Sequence, residues 1–504
     1  MKKIVFNVMM ITIIAKVLGF ARTILLSYFF GASGISDAYL VSQTIPGTIF
    51  QFIGTGLATS FIPVYLSVVN RKDERTANRF TNTVLTLVFI FSTIIIVLVC
   101  LYTSVFVRAF ASGFTGETLE KAIYFTRVNI FSLYFSATIY VVSSYLQLKN
   151  KFAFVAFTAI PNALIIMISI FLGARVNLNW LPIGSILAVL LQAVLLIHQS
   201  RKQHFTIRLS TNFKDNNVKK LAKLMGPVTI GVTINEINLV VNKTIASQLA
   251  IGGISALTYA ESLVLFVQGI FAQTIATVYY PQLTNLAEEG NEKGLKSKFN
   301  EAVKGMVCIL APVTVGCILL AEDIIRVLYD RGGFDEIALR MTSSALLLYG
   351  VGILGYGFRE MLARVFYAYH DTKTPMINAG IGAVINIVMS LILSPIMGVG
   401  GLALATSVSS IVTSLLLVFQ LQKRLGRILP HGQLQMYVKI VVATLIMGVV
   451  VFVMSRICLA SANVLTTLGV GVLTGVIVYV ASLFWLKVDV AIEMWKLLVA
   501  RRMK

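Results

Sequence analysis

The sequence predicts an all-α, polytopic membrane protein with about 14 transmembrane helices. Its 504 residues are 57% hydrophobic and only 12% charged, and the mean hydropathy is +0.86, which excludes an ordinary soluble domain. A spanning helix needs roughly 20 mostly apolar residues, so the chain is long enough for that number of spans. Apolar runs separated by polar breaks begin near residues 4, 38, 80, 120, 152, 181, 219, 254, 300, 337, 375, 400, 434 and 464.

The net charge of +21 predicts membrane topology rather than a nucleic-acid partner, because the basic residues lie in short loops between apolar runs. Counted over alternate loops, Lys and Arg are about four times as frequent on the side of the N-terminus as on the other side. This bias predicts a multi-pass protein of the bacterial cytoplasmic membrane with both termini and a basic tail in the cytoplasm. Lys2 and Lys3 precede an apolar run that has no cleavage site, which favours an uncleaved first helix. The four cysteines lie in apolar stretches without paired spacing and predict neither disulfides nor zinc: Cys100, Cys308, Cys317 and Cys458.

A weak internal repeat organises the chain. The tripeptide Gly-Ile-Ser at 34–36 recurs at 253–255, and Gly-Phe at 113–114 recurs at 333–334. This nearly constant offset accommodates six spans per copy, and an even number of spans gives a parallel repeat, although chance matching of small residues is the alternative. The predicted domains are a six-helix lobe at 1–210, a second six-helix lobe at 211–428, and two extra helices with the tail at 429–504.

Charged side chains inside the spans are the main functional candidates. Each costs at least about 2.5 kcal/mol in the bilayer core, so such residues normally face a water-filled cavity or a partner. The cations outnumber the acids, which predicts an anionic cargo, and arginine suits phosphate because its planar fork donates two parallel hydrogen bonds. Internal ion pairing, such as Arg364 with Glu360 or Lys243 with Glu236, is the alternative for any single residue. The cationic candidates are Lys16, Arg22, Lys243, Arg359 and Arg364.

No enzymatic motif accompanies these charges. The sequence contains no phosphate-binding Walker loop, no HExxH and no Gly-x-Ser-x-Gly, so we expect a transporter rather than an enzyme. The absence of a nucleotide-binding motif leaves an ion gradient or the metabolism of the cargo as the energy source. Prolines and glycines within the spans, including Pro46, Pro63, Pro227 and Pro312, are candidate hinges. Asp37 is expected to cap the second helix.

The chain resembles the MurJ (MviN) lipid II flippases over essentially its whole length, and seven segments carry the resemblance. The N-terminal ones are KVLGFAR at 16–22, FFGA at 29–32, SDAY at 36–39 and FIPV at 61–64. The C-terminal ones are RGGFD at 331–335, ARVFYAYHDTKTP at 363–375 and GGLALATS at 400–407.

The resemblance implies the fold of the multidrug/oligosaccharidyl-lipid/polysaccharide exporter superfamily, with two six-helix lobes and two additional C-terminal helices. It also implies that undecaprenyl-diphosphate-linked peptidoglycan precursor moves from the inner to the outer leaflet by alternating access. The diphosphate would enter a cationic cavity while the prenyl chain stays in lipid. Lys16, Arg22, Asp37, Glu360 and Arg364 match family positions considered functional.

Two departures from the family pattern concern the substrate site. Phe50 and Gln51 stand where family members have an arginine pair, and Ser262 stands where they have the arginine of a Tyr-Ala-x-Arg pattern. The candidates to compensate are Lys243, Arg359, Gln51 and Gln268. The complete predicted substrate site comprises Lys16, Arg22, Asp37, Gln51, Lys243, Glu261, Arg359, Glu360 and Arg364.

The family resemblance also implies a candidate sodium site, with neutral ligands in place of its acids: Asn242, Asn386, Ser390 and Thr406. Hydrogen bonding between neighbouring helices is the alternative role for these side chains. No organic cofactor is predicted, and coupling to sodium or to the membrane potential is the expected energy source.

Three functional hypotheses follow. The first is lipid II flipping, with membrane lipid and cell-wall synthesis enzymes as partners. The second is export of another lipid-linked oligosaccharide, such as a capsule or wall-polymer unit, because the arginines are missing. The third is a non-transporting membrane scaffold for cell-wall synthesis, which would not require a cationic cavity.

Overall fold

The computed structural model describes residues 2–213, 215–426, 428, 433–455 and 463–488, and within these ranges every regular element is a helix. Cys458 and the basic tail lie outside the described residues. The first ten helices are α1 (Lys2–Phe30), α2 (Gly34–Arg71), α3 (Glu74–Leu101), α4 (Thr103–Phe110), α5 (Gly116–Asn129), α6 (Ser132–Leu148), α7 (Phe152–Phe157), α8 (Ala159–Arg175), α9 (Trp180–Arg201) and α10 (Asn216–Leu249). The second ten are α11 (Gly253–Ile270), α12 (Ala272–Glu288), α13 (Glu292–Leu319), α14 (Ala321–Tyr329), α15 (Glu336–Gly350), α16 (Ile353–Ala368), α17 (Lys373–Met397), α18 (Val399–Leu425), α19 (Gln433–Val453) and α20 (Val464–Trp485).

The helices provide the predicted number of membrane spans. Among the described residues, eleven segments are long and apolar enough to cross a membrane, and three bent helix pairs raise the number to fourteen. The bent pairs are α5 with α6, the two halves of α10, and α15 with α16. The predicted all-α membrane fold is therefore confirmed.

The chain forms two compact units, unit 1 (Met1–Ser255) and unit 2 (Ala256–Lys504). Unit 1 includes α10 because this helix packs along α2. The repeat-based lobe boundaries at 210 and 428 describe sequence symmetry rather than contacts, and they stay predictions.

Both units contain the same local arrangement after their third long helix. In unit 1, the short helix α4 leads through a loop into α5 and α6, which bend by 46°. In unit 2, α14 leads into α15 and α16, which bend by 48°. The turn after each bent pair contains a left-handed non-glycine residue with φ 58°, Asn150 in unit 1 and His370 in unit 2. The backbone thus repeats at the offset that the sequence predicts.

The bends in α5–α6 and α15–α16 do not occur at the prolines that the sequence suggested as hinges. The breaks fall at 130–131 and at 351–352, whereas Pro46 and Pro63 lie inside the continuous helix α2. A proline in a membrane helix is tolerated because neighbouring groups satisfy the freed backbone carbonyl. Pro227, by contrast, lies between the two halves of α10, which bend by 53°, so the candidate hinge prolines coincide with one of the three bends.

Side-chain caps explain where several helices begin. Ser33 and Ser36 form a reciprocal capping box at the start of α2, which satisfies two backbone donors that a helix N-terminus leaves open. Asp73 caps α3 by accepting a hydrogen bond from the Thr76 amide at 2.9 Å. The hydrogen bonds from Thr76 hold the pKa of Asp73 below its ordinary value.

The basic segment at 201–223, which spans the boundary between the two predicted lobes, is only partly a linker. α9 ends at Arg201 and α10 begins at Asn216. Between them, the Thr206 carbonyl accepts a hydrogen bond from Asn82 at 3.1 Å, and the amide of Ser210 donates to Thr86 at 3.1 Å. These polar side chains of α3 hold the connection against unit 1.

Candidate functional site

Two predicted cations of unit 1 lie on α1. Lys16 and Arg22 are both half-buried, and their spacing of six residues separates them by about 120° around the helix. The charge of Arg22 acts on the buried hydroxyl of Tyr39 on α2, and that hydroxyl is hydrogen-bonded to Ser185 at 3.0 Å. Arg22 is therefore placed beside a polar pair in the interior of unit 1.

Lys243 lies at the contact between α10 and α2, and Gln51 lies at the contact between α2 and α6. The Lys243 ammonium donates a hydrogen bond to Thr44, and the Gln51 carbonyl accepts one from the Tyr140 hydroxyl at 2.8 Å. Both predicted residues are half-buried. Thr44, the partner of Lys243, is two turns from Gln51 on the same face of α2. The structure therefore brings Lys243 and Gln51 to one side of this helix.

Asp37 does not cap the helix to which it belongs, which corrects the sequence expectation. Ser33 caps α2, whereas the carboxylate of Asp37 accepts hydrogen bonds from the Gly252 and Ser255 amides at 2.8 and 2.7 Å. The Ser255 hydroxyl adds a third bond at 2.5 Å, and Asp37 is only 1% exposed. Asp37 thus caps α11 from a distant position in the sequence, and it holds the α10–α11 turn against α2.

The charged residues of unit 2 include an internal ion pair. Arg364 donates through Nε and Nη2 to one oxygen of Glu360, at 3.2 and 2.7 Å. Its guanidinium also lies 5.5 Å from the centre of the Tyr280 ring, a cation–π distance. Ion pairing, the alternative role for Arg364, is therefore confirmed.

Arg359 and Glu261 are exposed side chains of unit 2. The Arg359 guanidinium lies 5.5 Å from the centre of the Tyr356 ring, one turn earlier on α16. The charges of Glu261 and Arg359 both act on the Tyr356 hydroxyl. Both charges therefore act on the same aromatic residue of α16.

The positions at which the arginines are missing are packed into the protein. Phe50 is 3% exposed, with its ring 5.3 Å from that of Tyr140. Ser262 donates to the carbonyl of Tyr259 at 2.7 Å, and Tyr259 stacks on Tyr329 with a centroid distance of 5.4 Å. Aromatic packing occupies the position of Phe50, whereas Gln51 and Ser262 keep polar groups that are hydrogen-bonded within the protein.

The candidate sodium ligands in unit 2 form a partial donor set. The Asn386 amide donates to Thr406 Oγ1 at 2.9 Å, so the interhelical hydrogen bond expected as the alternative is present. Asn386 Oδ1 is buried without a hydrogen-bond partner, and Ser390 is fully buried. Neutral oxygens suit a hard cation, and the unpaired Asn386 oxygen is consistent with such a ligand. Asn242 belongs to unit 1, and no group of three or more His, Cys, Asp or Glu within the described part of the chain has metal-binding geometry.

The sequence interpretation missed a polar stripe on α2. Thr44, Thr48, Gln51 and Thr55 follow one another at intervals of four, three and four residues, which places them on one helical face. Thr48 is 4% exposed and lies beside Glu236 of α10. The helical period of these residues was the signal available in the sequence.

Comparison with known proteins adds the decisive observation. The family model described as lipid II flippase MurJ matches residues 26–485. The chain belongs to the lipid II flippase MurJ family. Within the family, it is 29% identical to the probable lipid II flippase MurJ of Buchnera aphidicola subsp. Acyrthosiphon pisum over 90% of this chain and 89% of that protein. It is 28% identical to the probable lipid II flippase MurJ of Vibrio cholerae, over 81% of this chain and 80% of that protein.

Solved structures agree with this family assignment. A lipid II flippase MurJ in an inward closed conformation superposes with a TM-score of 0.81 at 25% identity, covering 94% of this chain and 97% of that one. An inward-facing multidrug resistance transporter of the MATE family superposes with a TM-score of 0.68 at 13% identity, over 82% and 95% of the two chains. The second likeness shows a shared fold, that of the superfamily expected from the sequence.

Proposed function

We propose that this chain is a flippase that moves lipid II, the undecaprenyl-diphosphate-linked peptidoglycan precursor, from the inner to the outer leaflet of the cytoplasmic membrane. The match of the MurJ family model over residues 26–485 carries the proposal. The relatives compared above do not favour another lipid-linked glycan or a scaffold as the function. A role in cell-wall biogenesis follows from the cargo.

The embedded cations of unit 1 supply the chemistry that this cargo requires. A diphosphate is too strongly hydrated to cross hydrocarbon without compensation. Lys16 and Arg22 on α1 and Lys243 on α10 are half-buried, and ammonium and guanidinium groups form charge-assisted hydrogen bonds with phosphate oxygens. In the proposal, these groups bind the diphosphate while the prenyl chain remains among the lipid tails.

The proposal includes features that go beyond family membership. Both termini lie in the cytoplasm, transport proceeds by alternating access, and no bond of the cargo is made or broken. Sodium or the membrane potential supplies the energy, and cell-wall synthesis enzymes receive the flipped precursor.

Complementation of a bacterial strain depleted of its lipid II flippase tests the proposal. We compare the wild-type chain, Arg22→Ala and, as a surface control, Arg340→Ala, whose side chain is 81% exposed. Wild type and the control should restore growth at matched membrane abundance, whereas Arg22→Ala should lower colony counts by at least about tenfold. The accessibility of lipid II head groups to an externally added, membrane-impermeant hydrolase gives the direct readout.

The outcomes separate the hypotheses. Rescue without accumulation of outer-leaflet lipid II would favour a scaffold. Failure of the wild-type chain at normal abundance would point to another lipid-linked glycan. Equal rescue by Arg22→Ala would remove Arg22 from the essential site.

A further inference from the structure

A continuous polar seam joins α2 and α10 within unit 1. On α10, Glu236 and Lys243 are seven residues apart, so they share a face and are separated by about 10.5 Å along the axis. Facing them, Thr44 and Thr48 lie one turn apart on α2. We call these four residues the α2–α10 seam.

Each charged residue of the seam has a threonine of α2 beside it. Lys243 donates to the hydroxyl oxygen of Thr44, and Thr48 lies beside the carboxylate of Glu236. The two charges are two turns apart on the same face of α10, and the threonines that face them are one turn apart on α2. The positive charge of Lys243 favours the ionised form of Glu236.

Few other charged residues lie on the helices around Glu236. The sequence of α2 between Asp37 and Arg71 contains no charged residue, and α6 contains none. On α10, Glu236 is the only acidic residue. Both seam charges are half-buried, and an attraction at such sites is screened less than one between exposed charges.

We propose that Glu236 is the resident counter-anion of Lys243, which the diphosphate of the cargo replaces. This inference rests on the proposed function, because it requires an anionic cargo at Lys243. Before the cargo arrives, Glu236 balances the embedded ammonium, whose isolation in the membrane is costly. When the diphosphate binds, it competes with Glu236 for the same positive charge. Glu236 is therefore a positioning residue that lowers the affinity for the diphosphate and favours its release.

The proposal predicts a gain of affinity when the carboxylate is neutralised. Removing the competing anion two turns from Lys243 on α10 should tighten diphosphate binding by about fivefold, allowing for partial solvent screening. A residue with a merely structural role, when replaced, would leave the affinity unchanged or weaken it. The direction of the change therefore distinguishes the two roles.

The experiment measures binding of undecaprenyl diphosphate to the purified full-length protein in detergent, with undecaprenol as the uncharged probe. The variants are Glu236→Gln, Lys243→Gln and the double variant, and Glu301→Gln is the control because Glu301 pairs with Lys298 on α13. We expect tighter diphosphate binding in Glu236→Gln and binding at least about tenfold weaker in Lys243→Gln. The double variant should bind as Lys243→Gln does, because Glu236 acts through Lys243. Glu301→Gln should bind as the wild type does, and none of the variants should alter undecaprenol binding.

A second pair of variants keeps the inference testable if Glu236→Gln does not fold. Glu236→Asn removes the charge and should tighten diphosphate binding, whereas Glu236→Asp keeps the charge and should not. Unchanged or weaker binding in the folded neutral variants would overturn the counter-anion role while leaving the flippase proposal intact. If the wild-type protein binds undecaprenyl diphosphate no better than undecaprenol, the proposed anionic cargo itself fails.

Discussion

The bent spans of the two units share a backbone but differ in the chemistry of their inner helices. α5–α6 and α15–α16 bend by 46° and 48°, yet α6 contains no charged residue while α16 contains three. At the offset that relates the two Gly-Phe dipeptides, Tyr140 corresponds to Glu360 and Ser144 to Arg364. In unit 1, the Tyr140 hydroxyl donates to Gln51 at 2.8 Å. In unit 2, Glu360 and Arg364 form an ion pair at 2.7 Å.

The difference shows that a bend in a membrane helix does not determine the polarity of the face that it presents. Backbone hydrogen bonding and close packing set the helix path, so one path accepts neutral or charged side chains at equivalent positions. Unit 2 keeps a counter-ion one turn from Arg364. In unit 1, the seam acid Glu236 lies two turns from Lys243.

The helix caps differ between the repeats as well. At the offset that relates the two Gly-Ile-Ser tripeptides, Asp37 of unit 1 corresponds to Ala256, so only the first copy has this carboxylate. Conversely, Asp371 binds the start of α17 through the amide of Thr374 at 3.0 Å, whereas Lys151 at the equivalent position of unit 1 makes no side-chain cap. Each copy therefore stabilises its turns with its own polar groups.

Removing the Asp37 cap should have the largest effect. Asp37→Ala leaves the buried Gly252 and Ser255 donors without their acceptor, so we expect a loss of about 3 kcal/mol in the free energy of unfolding. Ser33→Ala, which removes the cap of α2 itself, should cost about 1 kcal/mol. Denaturant unfolding of the detergent-solubilised protein measures both. Equal losses would show that the α11 cap is no more important than an ordinary helix cap.

Two glycines with positive φ separate backbone strain from close packing. Gly252 has φ 82°, and a Cβ there would lie 2.0 Å from the Ala32 carbonyl oxygen. Gly398 has φ 57° and open space around it. Gly398→Ala should cost about 1 kcal/mol through strain alone, and Gly252→Ala about 2–3 kcal/mol because the backbone must also move. The same unfolding measurement checks the order, and a larger loss at Gly398 would contradict the packing argument.

The paired inner helices offer a direct test of charged against neutral chemistry. Glu360→Gln leaves the guanidinium of Arg364, 32% exposed, without its carboxylate, and should destabilise the protein by about 1–2 kcal/mol. Tyr140→Phe removes one neutral hydrogen bond and should cost about 1 kcal/mol or less. High salt should reduce only the first effect. A salt-independent loss in Glu360→Gln would mean that the charge of the pair contributes little.

The smallest expected effect concerns the pH dependence of the α17 cap. Burial would raise the pKa of Asp371, but the hydrogen bonds from Thr374 and the charge of Arg424 outweigh it and lower the pKa below the ordinary 3.8. The ionised carboxylate of Asp371 therefore stabilises the fold at pH values above its ordinary pKa. This stabilisation is lost as the pH falls through the lowered pKa. Melting curves between about pH 5 and 2 should show a loss of about 0.5 kcal/mol that Asp371→Asn lacks. An identical acid profile in the variant would contradict this assignment.

Much of the site was predictable where the relevant groups lie close in sequence. The Arg364–Glu360 pair follows from their i, i+4 spacing, since such residues are neighbours on a helix. Thr44 and Thr48 have the same spacing on α2, which the search for charged residues overlooked. By contrast, the burial of Phe50 beside Tyr140 depends on how two helices pack, and no local pattern encodes that contact.

By itself, the sequence determined that the chain crosses the membrane many times, that its second half repeats the backbone pattern of the first, and that cations are embedded in its spans. The lengths of apolar runs, turns at glycine and charged residues are local properties, so a single sequence is enough to recognise them. Only the tertiary structure decided that Asp37 caps α11, that Lys243 meets Thr44, and that the bends at 130–131 and 351–352 need no proline. These outcomes depend on which helix faces bury each other, and buried polar groups take whichever partner that packing brings within hydrogen-bond distance.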